Sequence, residues 1–343
     1  MKAVKRKVEP FSSQVEVNSF FSGIGGFDLG FERAGFQISM QCEIDPFCTA
    51  ILEKAWPNVP RFRDVKRLQN ADIPVSEVWV GGFPCQDVSL ARMGPRAGLR
   101  GSRSGLFHDF ARLLGDARPR VFLIENVPGL LSSHGGRDFG LIIRTLADFG
   151  YGVGWRVLNS QHFGVPQSRN RVYIVGCYRD RTGPAEILFE PERGGGDFAA
   201  GKPHGAPALS PFKESLGDPL KGPNYQRIAY CLYACSARHT GTDWSRTYVS
   251  YPAGRVRRLT PAECEPLQGF PSGWTLPENY AASDEKLDSL RYTALGNAVT
   301  VPVVEWLAHR IQRYLRITGE VTEPLERPTL ASREAVAAAS LSY

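Results

Sequence analysis

The chain has 343 residues, enough to bury a large core and to add a smaller second unit. Its 42% hydrophobic and 22% charged content is ordinary for a soluble globular protein, and no apolar run approaches the roughly 20 residues a spanning helix needs. A net charge of +6 permits a nucleic-acid partner without demanding one, and seven scattered cysteines argue for reduced thiols in a cytoplasm rather than a disulfide framework.

Residues 1–14 read as a loose polar arm, and Met1–Pro10 lacks the apolar core of a signal peptide. Val15–Phe21 then reads as a strand, Ser22-Gly-Ile-Gly-Gly26 as a turn, and the pattern through Phe27, Leu29, Phe31 and Ala34 as a helix. That is the first half of a nucleotide-binding βαβ unit. Asp28 stands where a dinucleotide fingerprint wants its third glycine, which weakens an NAD or FAD reading. The second strand, Phe36–Cys42, ends in Glu43, twenty residues after Gly23, where a carboxylate can accept both hydroxyls of an unphosphorylated ribose. A ribose is implied, and phosphates are not. Asp64 follows Arg61-Phe62-Arg63, where a third strand can bring a carboxylate near an adenine amino group, although a lone Asp is more often a turn or helix cap.

Val78–Val80 is a short buried strand that Gly81 and Gly82 end, and Pro84 fixes the backbone before Cys85. A thiol delivered by a rigid turn from a strand end suits a nucleophile, because it is aimed without being buried. From Val88 to His108 there is no acidic residue, while Arg92, Arg96, Arg100 and Arg103 punctuate a loop rich in Gly and Ser. Such surroundings lower a thiol pKa and attract a polyanion. A short helix is expected over 105–115. Val121–Ile124 is another strand, which delivers Glu125 to the sheet edge that receives Cys85. Asp138–Phe149 suits a helix with Phe139, Ile142, Ile143 and Leu146 inward, and strands follow at Val153–Leu158 and Val172–Cys177. Between those strands Arg169 and Arg171 alternate, so on an extended segment both point to one face.

From Arg179 to Arg255 the Gly and Pro content marks a loop-rich module. Cys231, Cys235 and His239 recur there every four residues, a spacing that zinc sites rarely show, and no fourth ligand is evident, so no metal is expected. Thr260-Pro-Ala-Glu263 is a capping box with Pro at the first helical position. Gly296-Asn-Ala-Val-Thr-Val-Pro302 leads into a last helix reaching about Arg316, and the tail is polar and Ala-rich.

The ordered set Phe21-Ser-Gly-Ile-Gly-Gly26, Gly82-Phe-Pro-Cys-Gln86, Glu125-Asn-Val127, Gln167-Ser-Arg-Asn-Arg171, Arg258-Leu-Thr-Pro261 with Gln268-Gly-Phe-Pro271, and Gly296-Asn297 with Val299 resembles the DNA cytosine-5 methyltransferases of bacteria and phages. The match spans roughly 16–178 and 255–317, and the family's order is kept. The resemblance implies a doubly wound, Rossmann-like α/β methyltransferase sheet built from 1–178 and completed by 255–320, with 179–254 as target-recognition domain and 321–343 as a tail. It also implies S-adenosylmethionine as methyl donor and S-adenosylhomocysteine as product. The cofactor residues by family position are Phe21, Ser22, Gly23, Gly25, Gly26, Glu43, Ile44, Asp64, Pro84, Asn297 and Val299.

By the same resemblance Cys85 adds to cytosine C6, Glu125 meets N3 and the exocyclic amine, Arg171 donates to O2, and Arg169 meets a backbone phosphate. The base must leave the stack, with Gln86 and Ser89 near the vacated space and Arg92, Arg96, Arg100 and Arg103 on the lid. Arg227, Arg238 and Arg246 are candidate contacts to double-stranded DNA. The implied setting is a monomer on DNA in a bacterial or phage-infected cytoplasm, with a cognate restriction endonuclease as second partner or as an orphan enzyme. The rival readings are an RNA cytosine-5 methyltransferase, a binding module that has lost its chemistry, and an NAD-dependent oxidoreductase. Against the first, the Cys-Phe-Thr of the tRNA branch is absent, since Leu232 and Tyr233 follow Cys231.

Overall fold

The computed structural model describes residues 14–84, 106–190, 224–225, 228–234, 247–251, 256–278 and 280–319. Cys85, Gln86, Ser89, the arginines from Arg92 to Arg103, Arg227, Arg238 and Arg246 lie outside them, as does the expected tail.

The strands are β1 (Glu16–Phe20), β2 (Gln37–Cys42), β3 (Arg61–Phe62), β4 (Val78–Gly81), β5 (Val121–Asn126), β6 (Tyr151–Asn159), β7 (Gln167–Ser168) and β8 (Asn170–Tyr178), of which β4, β5, β6 and β8 are rich in β-branched and aromatic residues. Seven of these make one sheet in the order β3-β2-β1-β4-β5-β8-β6. The first five run parallel, and β8 inserts antiparallel between β5 and β6. All six residues of β5 are buried, as a strand covered on both faces requires.

The pleat of β4 divides the core. Val78 and Val80 face α1 (Gly26–Arg33), while Trp79 faces the opposite layer, made by α3 (Leu106–Ala117) and α4 (Arg137–Asp148), with α2 (Pro46–Ala55) lying at the side. Among the described residues, three helices follow α5 (Gly183–Leu188): α6 (Pro261–Leu267), α7 (Asp284–Asn297) and α8 (Val301–Gly319), the last of them lying beside α1. At Gly30 a Cβ would fall 2.6 Å from Val304, so the α1–α8 crossing needs a bare backbone there. The capping box forms as read, with the Thr260 hydroxyl accepting from the Glu263 amide and the Glu263 carboxylate accepting from that of Thr260.

Two elements bear on the expected boundaries at 178 and 254. Ile187 and Leu188 of α5 are fully buried against β6, β8 and α8, so α5 packs with the large sheet. At the other side, β12 (Val256–Arg258) pairs with β11 (Tyr248–Ser250), which pairs with β9 (Asn224–Tyr225), a small sheet whose last strand lies past 254. The remaining strand, β10 (Ala229–Tyr230), pairs in parallel with β7 of the catalytic unit. Among the described residues, no helix is long and apolar enough to cross a membrane, and no group of three or more His, Cys, Asp or Glu can hold a metal ion.

From β1 the sheet grows one way through β2 and the other way through β4, which opens a crevice at the carboxyl ends of these strands.

Candidate active site

Two strands end level at that crevice, β1 at Phe20 and β4 at Gly81, while β5 runs two residues farther, to Asn126. Phe20 of β1 is opposite Gly81 of β4, which is opposite Ile124 of β5. Phe21 and Gly82 therefore leave the sheet beside Glu125, which stays in β5 opposite Tyr173 of β8. A Cβ on Gly82 would meet Glu125 Oε2 at 3.3 Å and the Glu125 carbonyl at 3.4 Å, so Gly lets this arm lie against the carboxylate. The Asn126 amide donates to the Phe83 carbonyl at 3.1 Å and pins the arm one residue before Pro84. From Pro84, itself half-buried, the chain enters Cys85.

Glu125 is 8% exposed, and its Oε1 lies 2.9 Å from Arg171 Nε. The pair is ionic, yet the N–H does not aim at the oxygen, and Oε1 stays buried without a hydrogen-bond donor. Burial pushes the Glu125 carboxyl up, and the Arg171 and Arg169 charges oppose that rise. A buried acceptor left free beside a cation is a group waiting for a donor.

The expected alternation holds, since Arg169 and Arg171 both approach Cys231 Sγ, at 3.5 Å and at 3.9 Å and 4.0 Å. The phosphate role expected for Arg169 does not survive. Its side chain is 1% exposed and donates to the carbonyls of Leu232, Gly296 and Ala298 at 2.9, 3.1 and 2.7 Å. A guanidinium so enclosed cannot reach DNA backbone. Arg171 keeps the half-buried position over Glu125, with Nη1 on the Asn170 carbonyl at 2.7 Å. Sequence reasoning assigned nothing to Asn126 or Gln167, although both sit inside the quoted motifs, and it weighed Cys231 only as a metal ligand or an RNA-type motif.

On the other side of β1, the Gly23 amide donates to Glu43 Oε2 at 2.7 Å and the Asp45 amide to Oε1 at 2.8 Å. Each carboxylate oxygen retains a lone pair for a hydroxyl. Burial pushes the Glu43 carboxyl up, and the amide donors pull it back. Gly23 has φ +55° with nothing near its missing Cβ, whereas Gly25 (φ +82°) would drive a Cβ into the Trp56 ring at 2.4 Å. Gly26 is bare because Val299 Cγ2 would be 2.7 Å from its Cβ, which brings the expected Val299 segment onto the glycine turn. Asn297 is exposed at the end of α7.

Phe21 has φ 53° and lays a half-buried ring 6.2 Å from Phe110. Ser22 Oγ is spent on the Ser19 carbonyl, 3.2 Å away. Ile44 is 65% exposed beside Glu43, apolar surface that a planar ligand can cover. Asp64 leaves β3 at the same edge, but its Oδ1 accepts from the Lys66 amide at 3.0 Å and its Oδ2 lies 3.9 Å from Arg67 Nε. Its observed duty is to cap its own turn.

These residues fit an adenosine that carries no phosphates. A phosphate ligand would use the amides and positive field at the α1 N-terminus. Asp28 occupies that first turn, 0% exposed, accepting from Ser19 Oγ at 3.0 Å and from Gln41 Nε2 at 2.8 Å, so the field there opposes an anion. S-adenosylmethionine, cationic and phosphate-free, suits both this turn and the Glu43 carboxylate.

Comparison with known proteins agrees. A model of the C-5 cytosine-specific DNA methylases matches residues 15–197 and 208–313. The type II methyltransferase M.NgoBI of Neisseria gonorrhoeae is 33% identical over 301 residues, covering 83% of this chain and 89% of its own. M.SsoII of Shigella sonnei is 30% identical over 314 residues, covering 85% and 78%. Among solved structures, a putative DNA modification methyltransferase encoded within an E. coli prophage matches with a TM-score of 0.61 at 22% identity, covering 88% of this chain and 100% of that one, a likeness that shows the fold. The chain belongs to the C-5 cytosine-specific DNA methylases.

Proposed function

We propose that this methyltransferase acts site-specifically on a cytosine flipped out of duplex DNA, through a covalent bond from Cys85 to C6. The observation that carries the reading is the buried, donor-free Oε1 of Glu125 beside Arg171, on the edge from which the Gly82–Pro84 arm leads to Cys85.

Cytosine C5 is a poor nucleophile until a group adds to C6. The Cys85 thiolate forms the S–C6 bond, and negative charge develops on the ring toward N3. Glu125, whose burial favours its protonated form, donates to N3, while its other oxygen accepts from the exocyclic amine and so excludes thymine. Arg171 donates to O2, and its charge steadies the Glu125 carboxylate once the proton has moved. Bound S-adenosylmethionine supplies a methyl group on a cationic sulfonium, held by Glu43 at the ribose and by the Gly23–Gly26 turn backed by Val299. The C5 proton then leaves to a base and the thiolate departs from C6, restoring the ring.

None of this proceeds inside a stacked duplex. Extrusion costs a few kcal/mol, which a lid carrying Arg92, Arg96, Arg100 and Arg103, with Gln86 and Ser89 in the vacated space, offsets. Arg227, Arg238 and Arg246 belong to the target-recognition part, and DNA passes between it and the catalytic unit. We assign the enzyme to a restriction–modification setting, as the names of its type II relatives suggest, acting as a monomer on DNA with a cognate endonuclease as cellular partner.

Duplex DNA with 5-fluorocytosine at the target tests the chemistry, because fluorine cannot leave as a cation and the adduct is trapped. A denaturing-gel species that Cys85→Ala abolishes is the expected result. Bisulfite sequencing of DNA from expressing cells then reads the target, and methyl incorporation into RNA instead of DNA would overturn the substrate assignment.

A further inference from the structure

Three motifs far apart in the chain meet at one buried point, and the reaction scheme above uses only their neighbours. Leu232, just past β10, has both backbone polar groups taken by side chains. Its amide donates to Gln167 Oε1 at 2.9 Å, and its carbonyl accepts from Arg169 Nη1 at 2.9 Å. The other end of the same guanidinium holds the carbonyls of Gly296 and Ala298, where α7 gives way to the segment that lies on the glycine turn. Gln268 closes the set. Its Oε1 accepts from Gln167 Nε2 at 3.2 Å and from Thr300 Oγ1 at 2.8 Å, and its Nε2 donates to the carbonyls of Leu295 and Ala298 at 2.8 and 3.3 Å.

We propose that Arg169 is a positioning residue that locks the recognition strand and the cofactor-bordering segment into one register, and so places Arg171 over Glu125. The inference rests on the function proposed above. A single planar fork answering carbonyls from two segments 64 or more positions apart transmits a shift of either one to the other. Its lever on chemistry is short. Arg171 is two residues on, and Cys231, which touches both guanidiniums, adjoins the Leu232 carbonyl that Arg169 grips. Buried networks of this kind carry a large penalty when one partner is removed, so the strands have reason to stay together.

Hydrogen exchange on the full chain tests the lock without calling on catalysis. In Arg169→Ala, the described amides of 229–232 and 296–300 should exchange at least tenfold faster, both segments together, with β5 unchanged. Arg169→Lys, which keeps the charge and can satisfy only part of the carbonyl set, should fall between Ala and wild type. With unmethylated bacterial genomic DNA, the single-turnover methylation rate of the Lys variant should drop at least tenfold while its affinity for S-adenosylhomocysteine alone stays within threefold. Loosening of one segment only, loosening that includes β5, or a parallel collapse of rate and cofactor affinity would each overturn the proposal. A wild-type enzyme that modifies no cytosine would sink the function and leave the exchange result standing.

Discussion

Asp28 is the residue whose environment contradicts its chemistry most. It is 0% exposed, and burial pushes its carboxyl from the ordinary 3.8 up to about 6, with Gln41 and Ser19 donors holding it below that of a bare buried acid. Because the folded value exceeds the unfolded one, the native state binds more protons between these pH values, and this group's contribution to stability rises as pH falls from about 7 toward 4. A gap of about two units corresponds to roughly 3 kcal/mol. Asp28→Asn should therefore flatten the pH dependence of the melting temperature over that window and be at least as stable as wild type at neutral pH. Gln41 helps, since its Oε1 is buried without a partner and an amide flip lets it accept from the new NH₂. An unchanged slope would show that Asp28 titrates elsewhere. Glu125 is raised for the same first reason but faces two arginines at the crevice, the setting in which we propose that it serves the reaction. Glu125→Gln should slow single-turnover methylation by about 10²–10⁴-fold, the usual span for a general acid, with cofactor affinity unmoved; near-normal turnover would remove the role. In the sequence, Asp28 was legible only as a missing glycine, because its partners stand on two neighbouring strands. Arg169 and Arg171 were legible as a pair on one face. Which of them lies buried depends on carbonyls more than 60 and 120 positions away.

At the scale of elements, what was legible is what is local. The Thr260–Glu263 box completes itself within four residues, and the glycine turn after β1 needs only its own φ angles. Strand order is another matter. The insertion of β8 between β5 and β6 is decided by which apolar faces meet, and no spacing announces it. The helix α5 escaped notice for a similar reason: Gly183 and Pro184 read as breakers, although Pro suits the first turn and Ile187 and Leu188 supply the buried face. The meeting of the glycine turn with the segment before α8 is the element-scale contact that the proposed cofactor site makes testable. A Cβ at Gly26 would sit 2.7 Å from Val299 Cγ2 and 3.1 Å from the Val299 carbonyl, so Gly26→Ala must push the segment outward. We expect a loss of about 1–3 kcal/mol in stability and a weaker affinity for S-adenosylhomocysteine by calorimetry. Adding Val299→Ala removes the closer contact and not the carbonyl, so the double variant should recover part of both losses. Strict additivity of the two changes would mean that the segment and the turn do not press on each other.

On the reading proposed above, the whole molecule is a catalytic unit to which a recognition part is joined. The joints include the β10–β7 pairing, the side-chain grips on Leu232, the arginine contacts to Cys231, the Thr293 hydroxyl on the Ala234 carbonyl, the Arg257–Glu263 ion pair, and the apolar cluster in which Ala229, Leu232 and Val249 pack with α2, α6 and α7. This division explains why the region from 191 to 254 resisted reading. In the proposed scheme every reacting residue lies outside it, with the anchor at 229–232 held from the catalytic side, so its sequence is free to answer to a DNA target. It also sharpens an exchange experiment. Replacing 191–223 and 234–247 with the corresponding stretches of a relative of different specificity, while keeping 228–233, preserves the pairing with β7 and both hydrogen bonds to Leu232. Such a chimera should methylate the donor's sequence at a rate within about tenfold of wild type, whereas a chimera that also exchanges 228–233 should lose rate first, because the grip of Gln167 and Arg169 would meet an unfitted strand. The arginines from Arg92 to Arg103 are untouched in both, so the slope of log affinity against log salt should keep their share, about 0.9 for each phosphate they neutralise. Bisulfite sequencing of both chimeras decides. A chimera that carries the donor's 191–223 and 234–247 and still modifies the original site would move specificity out of these stretches, to the loop that follows Cys85.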